Sequence, residues 1–263
     1  MAGKTAILIV NGFDQRGIFG AYNAEEARLY PWIDLCLRQV HRWSAGADYE
    51  ILVLDNTGLD EHSAALRSYE RVRVVSAGEE RAHHDALDDL VARTGDDVEY
   101  ILTLDNDAFP VRAGWIGELT AALDGGAALA GVWRDEMAPV IRPYIHPSAL
   151  CIRRRDLLAL DVSFARGVAQ DVGQNLTDVL LAAGRTLHPL RRSNVLNVHF
   201  LLGGLYGDLI YHQGAGNRRA KFWTSTDLEE DERARIALRD AAFRDVNGLI
   251  ARLRGEAVHD PDL

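Results

Sequence analysis

The chain has little lysine, little cysteine and no long apolar run, and each shortage narrows what it can be. Cys36 and Cys151 are its two cysteines, set in the apolar contexts IDLCL and ALCIR. That suits reduced thiols and excludes a disulfide framework as the source of stability. No stretch approaches the roughly eighteen consecutive apolar residues that a membrane-spanning helix needs. The opening MAGKTAILIVNG runs straight into a strand-like segment without a cleavage-site pattern, so no signal peptide is expected. Lysine occurs only at Lys4 and Lys221, leaving arginine to carry nearly all positive charge, and the formal net charge is -10. This acidic balance argues against broad contact with nucleic-acid backbones, which rests on basic patches. It leaves small phosphorylated ligands open, because metal ions and backbone amides can hold them. Internal repeats, low-complexity tracts and linkers are missing as well. With 263 residues, 48% of them hydrophobic, the simplest expectation is one domain with a substantial core, working in the cytoplasm.

What is present is an alternation of short apolar runs and amphipathic segments. TAILIVN (5–11), EILVL (50–54), RVRVVSA (71–77) and EYILTLDND (99–107) read as buried strands. Between them lie a helix carrying Ile33, Cys36, Leu37, Val40 and Trp43 at helical spacing, with Pro31 in its first turn, and a helix over 83–95 stopped by Gly95. Asp55-Asn56-Thr57-Gly58 supplies turn chemistry after the second strand. The βαβ spacing predicts an α/β fold with a mostly parallel central sheet flanked by helices. The second half is more mixed. It holds a helix in GWIGELTAALDGG, strands in ALAGVW, SALCIRR and DLIYH, a helix from Asp171 to Gly184, and a charged helix over 227–254 opened by Thr226 and Glu229 as a capping box.

The most informative segment is Ile101-Leu102-Thr103-Leu104-Asp105-Asn106-Asp107-Ala108-Phe109-Pro110. Here a buried strand ends on two carboxylates spaced two residues apart. In open α/β sheets ligands bind beyond the carboxyl ends of the strands. Carboxylates placed there can hold a hard divalent ion that completes its shell with phosphate oxygens. The plainer alternative is that aspartates favour turns.

EYILTLDNDAFPVRAGWIGEL resembles family-2-like glycosyltransferases of the GT-A type, in which a strand enters a D-x-D turn followed by Pro and a Gly-Trp helix start. EILVLDNTGLD (50–60), SALCIRRRDLLAL (148–160) and Gln170-Asp171-Val172 with NLTDVLLAAGRTLHPL resemble further segments of that family, in its order. Departures are Gln170 in place of Glu, Arg81-Ala82-His83-His84 before the third helix, and an insertion before Tyr22-Asn23-Ala24-Glu25-Glu26.

The resemblance implies transfer of a sugar, with inversion, from a nucleoside-diphosphate donor such as a UDP-sugar. The acceptor would be a small molecule, a glycan or a lipid-linked compound at a membrane surface. It implies Mn²⁺ or Mg²⁺ as cofactor, with Asp107 as principal ligand and Asp105 reaching the ion or the ribose. Asp171 would be the catalytic base, its alternative being a helix N-cap. A late histidine would complete the metal site: His212 is the expectation and His199 competes. Asp55, facing the base or closing an Asx-turn, and Asn11 join the donor site. Arg218 and Arg219 would pair with the diphosphate or lie on a solvated surface loop, and Trp133, Arg134 and Asp135 would face the acceptor or pack. The expected division is a nucleotide-binding half over 1–110, an acceptor-side half over 111–226 and a C-terminal helix over 227–263. Rival readings are a D-x-D phosphatase with Asp105 as nucleophile, disfavoured by Phe109 and by Lys221 being the one later lysine, and a nucleotide- or glycan-binding protein without turnover.

Overall fold

The structure, a computed structural model, describes residues 3–12, 24–76, 81–165, 167, 170–196, 198–218 and 227–256. In chain order the first half contains β1 (Lys4–Asn11), α1 (Ala24–Leu29), α2 (Trp32–Trp43), β2 (Tyr49–Asp55), α3 (Asp60–Leu66), β3 (Val72–Ser76), α4 (His83–Ala92) and β4 (Val98–Asp105). The second contains β5 (Ala108–Pro110), α5 (Trp115–Asp124), β6 (Leu129–Arg134), β7 (Tyr144–Arg153), α6 (Arg154–Ala159), α7 (Gln174–Ala182), β8 (Leu187–Leu190), β9 (Gly204–Tyr206), β10 (Ile210–His212), α8 (Leu228–Arg244) and α9 (Val246–Arg254).

Seven strands form the central sheet in the order β3-β2-β1-β4-β7-β6-β8. β1 to β4 run parallel, while β7 runs antiparallel to both β4 and β6. Side chains alternate across a strand, so the apolar runs divide between two faces. Ile7, Ile9, Ile51, Val53, Leu102 and Leu104 pack with Cys36, Leu37 and Val40 of α2 and Trp115 and Leu119 of α5. Ala6, Leu8, Val10, Leu52 and Leu54 pack on the other face with Leu87 and Leu90 of α4 and Leu176 and Leu180 of α7. This two-sided burial explains why the strands read as continuous apolar runs. A Leu-to-Ala change there costs about 2–5 kcal/mol. Gly131 occupies the shift in register between β6 and β7; its φ is +148°, and a Cβ there would lie 2.0 Å from the Ala149 carbonyl oxygen. No other residue fits so close to the neighbouring backbone.

The second sheet is small and antiparallel, in the order β5-β10-β9. Phe109, Leu205 and Tyr211 from it pack with Trp32 and Leu35 of α2 and with Leu238, Leu249 and Leu253 of the last two helices.

Several expected boundaries move. The fourth strand stops at Asp105, and Ala108–Pro110 forms a strand of its own in the small sheet. Pro31 is the residue before α2 rather than part of its first turn. Asp171 lies three residues before α7, whose N-cap is Gly173, so it does not begin the helix. The single C-terminal helix is two, because Asp245 takes extended dihedrals (φ -153°, ψ 90°) that close α8, while its side chain accepts from Gly248 N to open α9. Asp227 caps α8, accepting from Glu229 N and Glu230 N; Thr226 lies outside the described residues.

Candidate active site

The carboxyl ends of β1, β2 and β4 carry Asn11, Asp55 and Asp105 side by side, since Asn11 pairs with Asp55 and Val10 with Asp105 across the parallel ladders. What completes the site arrives by reversal of chain direction. β10 pairs antiparallel to β5 with His212 opposite Ala108, and Gln213 N donates to the Asp107 carbonyl at 3.0 Å. A residue more than a hundred positions away is thereby set beside the acidic turn. Likewise β7 pairs Ala149 with Leu104, which brings its first residues, Tyr144 to Ser148, to the end where β4 finishes.

Asp105, Asp107 and His212 each offer one ligand atom, and these atoms lie within 4.8 Å of one another. His212 Nε2 is 3.4 Å from Asp105 Oδ2 and 3.5 Å from Asp107 Oδ1. Burial pulls the imidazole towards neutrality, yet the charge of Asp107 and hydrogen bonds to both acids outweigh it, and its pKa is pushed up to about 9. Burial raises the Asp105 carboxyl, but the hydrogen bond with His212 and the neighbouring His146 and His83 outweigh it and hold it below the usual carboxylate range. Asp105 Oδ1 is buried without a hydrogen-bond partner, 3.6 Å from His83 Nε2, which also has none. The second oxygen of Asp107 accepts from Gly216 N at 2.8 Å, so the Gly214–Arg218 stretch closes over the pair.

Asp171 stands on the other side of His146. His146 Nδ1 is 3.9 Å from Asp105 Oδ2, and its Nε2 is 4.0 Å from Asp171 Oδ2. Tyr144 Oη donates to Asp171 Oδ2 at 2.7 Å, and Val172 N donates to Oδ1 at 2.8 Å. Burial would raise the Asp171 carboxyl, but His146, Tyr144 and the Val172 amide together hold it below its ordinary value. It is therefore ionised at neutral pH.

The remaining expected residues fall into two groups. Asn217 donates to Asn106 Oδ1, Asn106 to Asn11 Oδ1 at 3.0 Å, and Asn11 to Asp55 Oδ1 at 3.1 Å, a chain of amides running across three strand ends. Asp55 also accepts from Thr57 N at 3.2 Å and from Ser63 Oγ, so it closes an Asx-turn and ties α3 to β2. Arg218 follows directly on Asn217 in this covering stretch, while Arg219 lies outside the described residues. Elsewhere, His199 Nε2 bonds Asp231 Oδ1 at 2.9 Å and is not part of the acidic cluster. Arg134 is half-buried against Glu136, its Nε donating at 3.0 Å, and Trp133 Nε1 donates to Asp135 at 3.1 Å. A cleft of about 410 Å³ lined by His41, Ser44, Tyr49, Tyr69 and Arg71 opens at the opposite, amino-terminal end of the sheet, away from all of these acids.

His146 and Tyr144 were not singled out from the sequence, and His83 entered only within a departure from the family pattern. The signal for the first two was a period-two pattern, Tyr144, His146, Ser148, ahead of an apolar run. It is obscured by Pro147, which shifts the apparent strand start to Ser148.

The family model described as Glycosyl transferase family 2 matches residues 18–169, more than half of the chain. The chain belongs to glycosyl transferase family 2. The matched region of this family 2 chain contains Asp55, Asp105, Asp107 and His146 but ends before Asp171 and His212. Among solved structures it is similar to the mannosyltransferase PcManGT from Pyrobaculum calidifontis in complex with GDP-Man and Mn²⁺, with 16% identity and a TM-score of 0.52. That likeness covers 70% of this chain and 54% of the other and shows a shared GT-A fold; the chain thus spans about half of that protein's length. No curated protein matches. Among the described residues no helix is long and apolar enough to cross a membrane.

Proposed function

We propose that this chain is a metal-dependent glycosyltransferase that moves a sugar from a nucleoside-diphosphate donor to an acceptor hydroxyl, inverting the anomeric carbon. One observation carries the reading. A cluster of two carboxylates and one imidazole faces a separate ionised carboxylate, Asp171, across a single histidine.

Asp105, Asp107 and His212 offer oxygen and nitrogen donors suited to Mn²⁺ or Mg²⁺. The fit is supported by the unpartnered Asp105 Oδ1 and by His212, whose raised pKa marks a corner in need of positive charge. Bound there, the ion supplies Lewis-acid stabilisation for charge on the departing diphosphate. PcManGT was solved with Mn²⁺ and GDP-Man, the same classes of ion and donor.

Donor binding falls to the half up to residue 110, where Asn11 and Asp55 flank the acids, together with the stretch ending at Arg218. A UDP-sugar is the donor assigned first, following the motif order, and GDP-sugars are the second arm of the test. On the acceptor side, Asp171 removes the hydroxyl proton as the bond to the anomeric carbon forms. Its carboxylate is held rigidly by Tyr144 and Val172 and stands open enough to meet a substrate. Single displacement follows, because the attacking oxygen comes from the acceptor and not from the protein.

A thermal-shift panel of UDP, GDP and simple phosphate esters, each with and without Mn²⁺, tests this. A preferred nucleotide at a hundred times its Kd adds about 2.7 kcal/mol of stability, and that gain should require Mn²⁺. Equal or absent shifts across the whole panel would sink the reading.

A further inference from the structure

We propose that the acceptor's nucleophilic hydroxyl seats between His146 Nε2 and Asp171 Oδ2, with His146 donating a hydrogen bond to it; the inference rests on the transferase reading above.

The tautomer of His146 is set by its own strand. Ser148 N donates to His146 Nδ1 at 2.9 Å, so Nδ1 is the unprotonated nitrogen and the ring proton of the neutral imidazole lies on Nε2. Neither ring nitrogen then has a free lone pair for a metal, although the ring stacks on that of His212 with centroids 5.6 Å apart. His146 therefore stands outside the cation's ligand set and presents one N–H.

That N–H faces Asp171 Oδ2 across 4.0 Å, too far for a direct hydrogen bond. An oxygen about 2.8 Å from both atoms closes a triangle whose apex angle is near ~90°, a geometry that a hydroxyl can adopt. Around this gap stand Tyr144 Oη, which already donates to Asp171 Oδ2, Asp105 beyond Nδ1, the Tyr144 ring 5.7 Å from the imidazole, and the Arg134 charge, which acts on both His146 and Asp171. A hydroxyl in the gap has all four tetrahedral directions assigned. One is its bond to the acceptor carbon, the second sends its proton to Asp171, and the third accepts from His146. The fourth, a lone pair, is left to attack. In the transfer step that lone pair forms the new bond to the anomeric carbon. The bond from that carbon to the diphosphate oxygen breaks and its electron pair departs with the nucleoside diphosphate, while the hydroxyl proton moves to Asp171.

The test combines ¹⁵N NMR of the histidines with steady-state kinetics of H146A and H146Q. In the parent protein Nδ1 of His146 should read as an unprotonated acceptor and stay so when Mg²⁺ is added, while His212 shifts. H146A should keep Mn²⁺ and donor affinity and lower kcat/KM for the acceptor about tenfold to a hundredfold. H146Q, whose amide can place an N–H near the lost Nε2, should recover part of that loss. Weakened Mn²⁺ binding in H146A, a metal-dependent shift at His146, equal loss in both variants, or parental acceptor kinetics would each overturn the proposal. A parent protein that transfers no sugar overturns the transferase reading together with this one, whereas normal transfer by H146A overturns this one alone.

Discussion

Two acidic corners meet at His146, and they are built in opposite ways. At the cluster, the side chains of Asp105, Asp107 and His212 are 15%, 8% and 6% exposed. Asp171, in contrast, is 37% exposed. Two buried carboxylates in one place repel each other and are costly to desolvate unless something positive joins them. In the metal-free protein that partner is His212. Asp171 is less deeply set: one phenol and one backbone N–H bond to it, His146 and Arg134 lie near enough to favour its charge, and water or substrate reaches the rest. A sunken pair suits holding a cation, and a half-open, rigidly held carboxylate suits taking a proton from a visiting molecule.

Replacing Asp107 with Asn breaks the contrast most severely. It removes a charged ligand from the buried corner, and Lewis-acid support worth several kcal/mol goes with it. Mn²⁺ binding by calorimetry should disappear and transfer should fall about a thousandfold or more. D171N strikes the other corner. Transfer should fall about a hundredfold, with Mn²⁺ and nucleotide affinity kept. If D171N loses the metal as D107N does, the two corners are not separate in function.

The pH dependence of metal binding sharpens the same distinction. With its pKa raised to about 9, His212 must lose its proton before it can ligate. Mn²⁺ affinity should therefore climb about tenfold per pH unit from neutrality, levelling near pH 9, with proton release on binding. H212Q should flatten that slope. The linked stability has the opposite sense. His212 is protonated more readily in the folded metal-free chain than in the unfolded one. Its contribution is thus complete below an unfolded pKa of about 6.5 and is lost as pH rises through about 9.

The sequence was legible where the chain is locally regular. Continuous apolar runs announced β1, β2 and β4, and Asp105 and Asp107 sit where one of those runs gives out. The structure sets His212 beside the two acids and His199 on Asp231, and the cause is invisible in one dimension. It depends on a three-residue strand pairing with Ala108–Pro110, a segment too short to carry any periodicity. His146 was overlooked for a related reason. It belongs to the strand that runs against its neighbours, and reversal places the beginning of that strand, not its end, at the site. Asp171 was read as a helix start, but Gly173 takes a left-handed φ of +74° and opens the helix itself. The single C-terminal helix misread Asp245, whose capping role is hard to distinguish from that of any solvated aspartate until its dihedrals are known.

The smallest expected effect isolates the buried corner without touching a ligand. Gly216 donates its N–H to Asp107 Oδ2, and a Cβ at that position would lie 2.6 Å from both Asp107 Cβ and Oδ2. Real side chains do not approach so closely, so G216A must push the covering backbone off the carboxylate or rotate Asp107 away from His212. Either shift disturbs a group that orients a first ligand, a kind of change that lowers metal affinity about tenfold. The φ of Gly216 is not left-handed, so the fold itself should lose little. Calorimetry should show weaker Mn²⁺ binding in G216A. The Asp171 corner should be unaffected, as read by acceptor KM at saturating metal. A matching rise in acceptor KM would mean that the covering stretch reaches across His146, and that the two corners are set by one backbone segment and not by two.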